Sequence, residues 1–181
     1  GQKLGPEYEC LVLIPDRKNA SGQSYRPLGM DEQEGVPGVL RRFQEIGAMR
    51  GEVWEGKFEG ENLIGLQNQE GASITIEPGG QIELSDQPMD HLSQVETSIR
   101  NFVRDLKESI RSIHGRLLFL GAQPLFDLDA IALSPKKRYR IMYRHMPEVG
   151  PLGQWMMKAT AGTQLSLDYA SLEAVSYTHL T

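Results

Sequence analysis

The sequence predicts an α+β fold built on an antiparallel sheet. Three observations lead there. Stretches that alternate apolar and polar residues come in adjacent pairs joined by short turns, as in hairpins. Helical periodicities stand between groups of strands rather than after every strand, which argues against a parallel sheet. The composition, 39% hydrophobic and 24% charged over 181 residues, is that of one globular domain or a piece of one.

Residues 7–14, EYECLVLI, read as a strand entering a core. The polar stretch over 15–35 is rich in turn formers and reads as a loop. In VPGVLRRFQEIGAMRG, Leu40, Phe43, Ile46 and Met49 share one face. That spacing predicts a short amphipathic helix ending near Gly51. ENLIGLQNQEGASITIE reads as two strands joined by a turn over 68–71. Pro78, Gly79 and Gly80 then turn the chain into a third strand, QIELS. Met89, Leu92, Val95, Ile99, Val103, Leu106, Ile110 and Ile113 recur every three or four residues. They predict a helix of about 27 residues, about 40 Å long, with Ser85 or Asp86 as its cap and Gly115 at its end. RLLFLGAQ is a buried-strand candidate. SPKKRYRIMYRHM reads as a helix with a basic start, capped by Ser134 with Pro135 in its first turn. KATAGTQLSLDYA alternates and reads as a final strand.

A net charge of −5 and a pI near 5.4 argue against non-specific nucleic-acid binding. No apolar run approaches the roughly 20 residues of a membrane-spanning helix, so no membrane partner is expected. The single cysteine, Cys10, cannot form an internal disulfide, and no signal peptide is visible. A reducing, cytoplasmic setting is therefore expected. The chain starts at Gly1, almost directly into a strand, and ends on VSYTHLT, which carries no element signal. The expectation is an internal fragment: a partial catalytic domain over residues 1–174 and a non-native tail over 175–181.

Alternation also sorts the polar residues. In a strand, neighbouring side chains point to opposite faces. Ile74 and Ile76 then oppose Ser73, Thr75 and Glu77, and Ile82 and Leu84 oppose Gln81 and Glu83. A hairpin through the Pro-Gly-Gly turn sets Glu77 opposite Gln81 and Thr75 opposite Glu83. Gln164, Ser166 and Asp168 share a face in the last strand, as Glu7 and Glu9 do in the first. The ordinary reading of such faces is a solvated sheet surface. Two features weigh against it. Lysine and arginine are absent from these faces, although solvated faces normally mix signs. Clustered carboxylates repel one another unless a cation sits among them. An oxygen-lined face of this kind suits Mg²⁺ held with substrate phosphates. There is no GxxxxGK[ST] loop, no GxGxxG fingerprint and no zinc spacing among His91, His114, His145 and His179. Cys10, Met156 and Met157 read as core residues.

The segments ASITIEPGGQIELS and KKRYRIMYRHMPEVGPLGQWMMKATAGTQLSLDY resemble the plant-type glutamate–cysteine ligases, which also occur in many bacteria. The resemblance rests on an EPGGQ-hydrophobic-ELS segment, an RYxIM helix, an MPxVGxLGxxMM turn and a TxxxQVxxD-like strand. A G-x-E-x-E strand at Gly5 to Glu9 adds to it, and the likeness runs from about residue 5 to about residue 172. It implies a glutamine-synthetase-like fold, an antiparallel sheet bent into a funnel with flanking helices. It also implies ATP-dependent condensation of L-glutamate with L-cysteine through γ-glutamyl phosphate, the first step of glutathione synthesis. The implied cofactors are ATP and Mg²⁺, with Mn²⁺ as an alternative ion. The implied metal ligands are Glu7, Glu9, Glu77, Glu83 and Gln164. Gln81, Ser166, Lys137 and Arg144 are implied substrate contacts, and Arg138 a catalytic cation that neutralises phosphate or the glutamate α-carboxylate.

Three positions depart from the family pattern. Tyr8 stands where a histidine is common, Arg140 where an acidic residue is usual, and Ser166 where asparagine is frequent. These leave the ligase class intact and the acceptor amine open. A related carboxylate–amine ligase with another acceptor, or a non-catalytic binding domain, remains an alternative at this stage.

Overall fold

The computed structural model describes residues 2–16, 24–31 and 33–180, with only the backbone of 177–180. Among these, eight strands form one open sheet in which every ladder is antiparallel. The path of the sheet is β2 (Tyr25–Pro27), β1 (Leu4–Pro15), β6 (Ile82–Ser85), β5 (Ser73–Ile76), β4 (Asn62–Asn68) and β3 (Trp54–Glu59). β7 (Arg116–Leu118) and β8 (Thr163–Leu167) also pair with β1, which makes β1 the spine of the sheet. The five α-helices are α1 (Val36–Met49), α2 (Leu92–Ser109), α3 (Lys137–Val149), α4 (Gly153–Ala159) and α5 (Leu172–Leu180). No helix among the described residues is long and apolar enough to cross a membrane.

The alternating strands bury one face. Cys10, Ile74, Ile76, Ile82 and Leu84 point into a core closed by Val39, Leu40 and Phe43 of α1 and by Phe102 and Leu106 of α2. Each such aliphatic side chain contributes about 1.5–3 kcal/mol when fully removed from water. Phe43 meets Trp54 edge-on at 5.6 Å, and Tyr8 meets Phe102 at 6.3 Å. The opposite face of the sheet carries the carboxylates.

Several elements differ from the sequence expectation. α2 is shorter than expected, with 18 residues. Ser85 ends β6, and Met89 exchanges backbone hydrogen bonds with Leu4, each 2.8 Å, so the chain is still extended there. The helix begins only after His91, whose N–H donates to the Gln94 side chain at 2.9 Å. At its far end a 3-10 turn, Arg111–Ile113, carries Ile113 into the core, and His114 adopts a left-handed φ of 55°. β3 was not foreseen: Gly56 interrupts its alternation and the register shifts between Lys57 and Phe58. β2 falls inside the expected loop, β7 stops at Leu118, and α4 runs into the start of the expected final strand, which begins only at Thr163. α3 begins two residues later than its Ser134 cap would place it. Ser134 instead donates its N–H to Pro78, and the Lys137 N–H is taken by the Glu59 carboxylate at 2.8 Å. The residues of the expected tail are helical in α5 up to Leu180.

Candidate active site

Strand register assembles the site. Glu9 lies directly across from Glu83, and Glu83 from Thr75, so the three make one row across β1, β6 and β5. In the next row Glu7 lies between Ser85 on one side and Gln164 on the other. Ser166, two residues further along β8, pairs with Gly5. Residues directly opposed across antiparallel strands share a face, so Glu7, Glu9, Glu83 and Gln164 stand on one face of the sheet. Glu83 Oε1 accepts from the hydroxyls of Thr75 and Ser85, both at 3.0 Å.

Glu77 follows β5 at the mouth of the Pro-Gly-Gly turn. Its N–H donates to the Gln81 carbonyl at 2.8 Å, and Gly80, at φ +82°, closes the turn in a conformation suited to glycine. Gln81 takes a different place from the one alternation gives it. Its side chain is 2% exposed and turned into the protein. Its oxygen accepts from Gly79 N–H at 2.7 Å, and its amide donates to Met157 at 3.2 Å and Thr160 at 2.6 Å. The amide is spent on backbone groups and ties the turn to the end of α4. Residues 157–162 then reach the carboxylate row as well, because Gly162 N–H donates to Glu9 Oε2 at 2.8 Å. One segment thus fixes both the Glu77 turn and Glu9.

α3 supplies the cationic side. Tyr139, 2% exposed, donates its hydroxyl to Glu77 Oε1 at 2.9 Å and accepts from Arg138 Nη2 at 2.6 Å. Arg138 therefore reaches Glu77 through Tyr139, with no direct ion pair between them. Lys136 is buried and donates its ammonium to the Ile76 carbonyl at 2.7 Å. Lys137 and Arg144 are exposed, and the hydrogen bond at Lys137 is made by its backbone. Tyr139 and Lys136 were not singled out from the sequence. The only cue was an aromatic set among four basic residues, and it does not say which residue of that run turns inward.

The carboxylates sense one another. Burial raises Glu9 above its ordinary value; the Gly162 hydrogen bond opposes this, and the charges of Glu77, Glu83 and Glu7 add to it. Burial and Glu83 raise Glu77, against the pull of Tyr139, Lys136 and Arg138. Burial lowers Lys136, while Glu77 holds its charge in place. Among the described residues no three His, Cys, Asp or Glu side chains already stand close enough to hold a metal ion. The donor chemistry nevertheless fits a hard divalent cation. The set is all oxygen, and its carboxylates raise one another's pKa even with Lys136 and Arg138 beside Glu77, a repulsion that such an ion relieves.

Comparison with known proteins gives the family. Residues 3–180 match glutamate-cysteine ligase family 2. The chain is 36% identical over 149 residues to a chloroplastic glutamate–cysteine ligase of Medicago truncatula, covering 82% of this chain and 27% of that protein. It is 37% identical over 147 residues to the chloroplastic enzyme of Nicotiana tabacum, covering 81% of this chain and 26% of that protein. It is 35% identical over 170 residues to chloroplastic glutamate–cysteine ligase A of Oryza sativa subsp. japonica, covering 93% and 31%. The chain thus spans between about a quarter and a third of these relatives. These relatives are named chloroplastic, which overturns the cytoplasmic expectation; the cysteine count does not distinguish the two compartments. By its match over nearly its whole length, this chain belongs to glutamate-cysteine ligase family 2.

Proposed function

We propose that this chain carries the metal- and phosphate-handling face of an ATP-dependent ligase that joins L-glutamate to L-cysteine through γ-glutamyl phosphate. The observation that carries the reading is the Glu9–Glu83–Thr75 row with Glu77 two residues beyond Thr75 and Arg138 tied to Glu77 through Tyr139. A free carboxylate is a poor acyl donor, and phosphorylation gives it a leaving group. The chemistry therefore demands positioning of phosphate beside fixed positive charge. Glu7, Glu9, Glu77 and Glu83, with Gln164 beside them, would hold Mg²⁺ or Mn²⁺, which when bound neutralises the phosphate oxygens of ATP. Arg138 lies on the exposed side of α3 with guanidinium nitrogens free of Tyr139, suited to a phosphoryl group or the glutamate α-carboxylate. Lys137, Arg144 and Ser166 are exposed and offer further polar groups to substrate. Gln81 serves this reading indirectly, by holding the turn that presents Glu77. The acid-lined antiparallel sheet supports a glutamine-synthetase-like architecture for the complete protein.

The test is ADP release by the full-length polypeptide carrying this segment, with L-glutamate and Mg²⁺ and a panel of amines added singly. Release stimulated chiefly by L-cysteine is expected. Stimulation by another amine would keep the phosphorylation chemistry and change the acceptor. Absence of glutamate-dependent release would overturn the ligase reading.

A further inference from the structure

We propose that Tyr139 is a positioning residue that holds Glu77 and Arg138 side by side without letting them pair. The carboxylate then stays open to a divalent cation and the guanidinium to a phosphoryl group. This rests on the ligase reading above and goes beyond it, since neither the sequence nor the family match assigns Tyr139 a role.

The argument starts from one proton. A phenol has a single hydrogen to donate, and a guanidinium can only donate. Arg138 Nη2, at 2.6 Å, therefore takes the lone pair of the hydroxyl and turns its proton toward Glu77 Oε1, at 2.9 Å. The chain of donation runs one way, from Arg138 to Tyr139 to Glu77. It uses one oxygen of Glu77 and one nitrogen of Arg138. The other oxygen of Glu77 and the other nitrogens of Arg138 make no hydrogen bond among the described residues.

The ring itself is clamped. The Arg138 guanidinium lies 4.6 Å from its centroid and the Lys136 ammonium 5.1 Å. Cations over an aromatic face attract it. Lys136 is anchored in turn on the Ile76 carbonyl, next in sequence to Glu77. The circuit from Glu77 through Tyr139 and Lys136 back to Ile76 fixes where the hydroxyl sits. Tyr139 is also the buried side chain of α3. Without the hydroxyl, an acid and a base this close would be free to pair, and each would be withdrawn from its task.

Tyr139→Phe isolates the hydroxyl, because it keeps the ring and its cations. The experiment measures Mn²⁺ affinity of the full-length polypeptide by electron paramagnetic resonance for wild type, Glu77→Gln, Tyr139→Phe and the double variant. Tyr139→Phe is expected to weaken Mn²⁺ binding about 10- to 100-fold, as loss of a partner that orients a metal ligand does. In the Glu77→Gln background it is expected to add nothing further, which a merely structural residue would not show. Unchanged Mn²⁺ affinity in Tyr139→Phe, with Glu77→Gln weakened, would overturn the role of Tyr139 alone. An equal effect of Tyr139→Phe in both backgrounds would also overturn it, as would loss of its melting transition. No effect of Glu77→Gln would remove the metal reading on which the proposal stands.

Discussion

Glu77 shows how one carboxylate can be unfavourable to the fold and useful to the site. Burial and the charge of Glu83 lift its pKa above the ordinary 4.5, and Glu9 shifts the same way. A carboxyl raised on folding binds its proton more tightly folded than unfolded. Its stabilising contribution is complete below the unfolded value and is lost as pH rises through the folded one. Metal-free protein is therefore expected to melt higher near pH ~5 than near pH ~7, with a smaller difference in Glu77→Gln. Calorimetry at the two pH values checks this, and an identical response of both proteins would show that the charge at Glu77 has no bearing on the fold. Added Mg²⁺ should raise the melting temperature of wild type at the higher pH and leave Glu77→Gln nearly unmoved. The acidic residues of this site were legible in the sequence because the two-residue strand period is fixed by backbone geometry. Glu7, Glu9 and Glu83 followed from it directly. Gln81 did not, since a turn breaks that period and the deep contact with Met157 and Thr160 is made by residues far along the chain. Tyr139 did not either, because the inward side of α3 depends on what packs there.

Among the elements, the segment from the end of α4 to β8 couples most to the site. Gly79 lies so close to it that a Cβ there would meet the Lys158 carbonyl oxygen at 2.2 Å, a backbone atom that cannot swing away. Gly79→Ala is expected to cost about 1–3 kcal/mol in urea unfolding. Gly121→Ala, with nothing within 4 Å, is expected to stay within about 0.5 kcal/mol of wild type. Equal effects would mean that the turn does not rest on α4. A second element-level coupling joins α1 to α2. Burial pushes Asp105 up, yet hydrogen bonds from Arg104 and Arg50 outweigh it and hold the group below its ordinary 3.8. A depressed carboxylate stabilises above the unfolded value, and this is lost as pH falls through the folded one. Asp105→Asn should therefore flatten the acid limb of the stability curve below pH ~4, as followed by circular dichroism. The strands of the central hairpin and α1 were readable because their apolar residues, Leu40 and Phe43 among them, face one common core, although Met49, 85% exposed, leaves the face that the spacing gave it. β2 was not, since a strand of three residues exists only by borrowing the length of β1. β7 was read at the right place but too long, since only Arg116–Leu118 finds a partner in β1. The helical period also ran on past α2, because Met89 and Ile113 lie at its flanks without being part of it.

At the scale of the whole molecule, the sheet does not close around its apolar parts. All five residues of β8 are exposed, and Leu165, at 43%, faces a groove of about 1020 Å³ shared with Leu92, Val95, Ile99 and Val103 of α2. An apolar groove of this size is unusual on a monomer surface. The strand order that creates it, with β8 returning to pair beside the first residues of β1, could not be read from alternation, which gives faces and not neighbours. It has a direct consequence for the 181-residue chain studied alone. Arg100, Arg104, Lys107 and Arg111 rim the groove with Glu96 and Glu108, which pair with Arg100 and Arg111, so an anionic apolar dye meets a fitting surface and, at Arg104 and Lys107, a favourable charge. Anilinonaphthalene sulfonate is expected to bind folded chain with enhanced fluorescence, at a site that is native and not a sign of a loosened core. The cooperative melting transition should be intact under the same conditions. Leu165→Glu places a carboxylate in the middle of the groove and reverses both attractions, while its position on an exposed strand leaves the α1–α2 core untouched. The variant should lose most of the fluorescence and keep its melting temperature within a few degrees. Fluorescence that survives Leu165→Glu would place the dye elsewhere, and the other polar-rimmed cavity, between α2 and the β3–β5 end of the sheet, would be the surface to probe next.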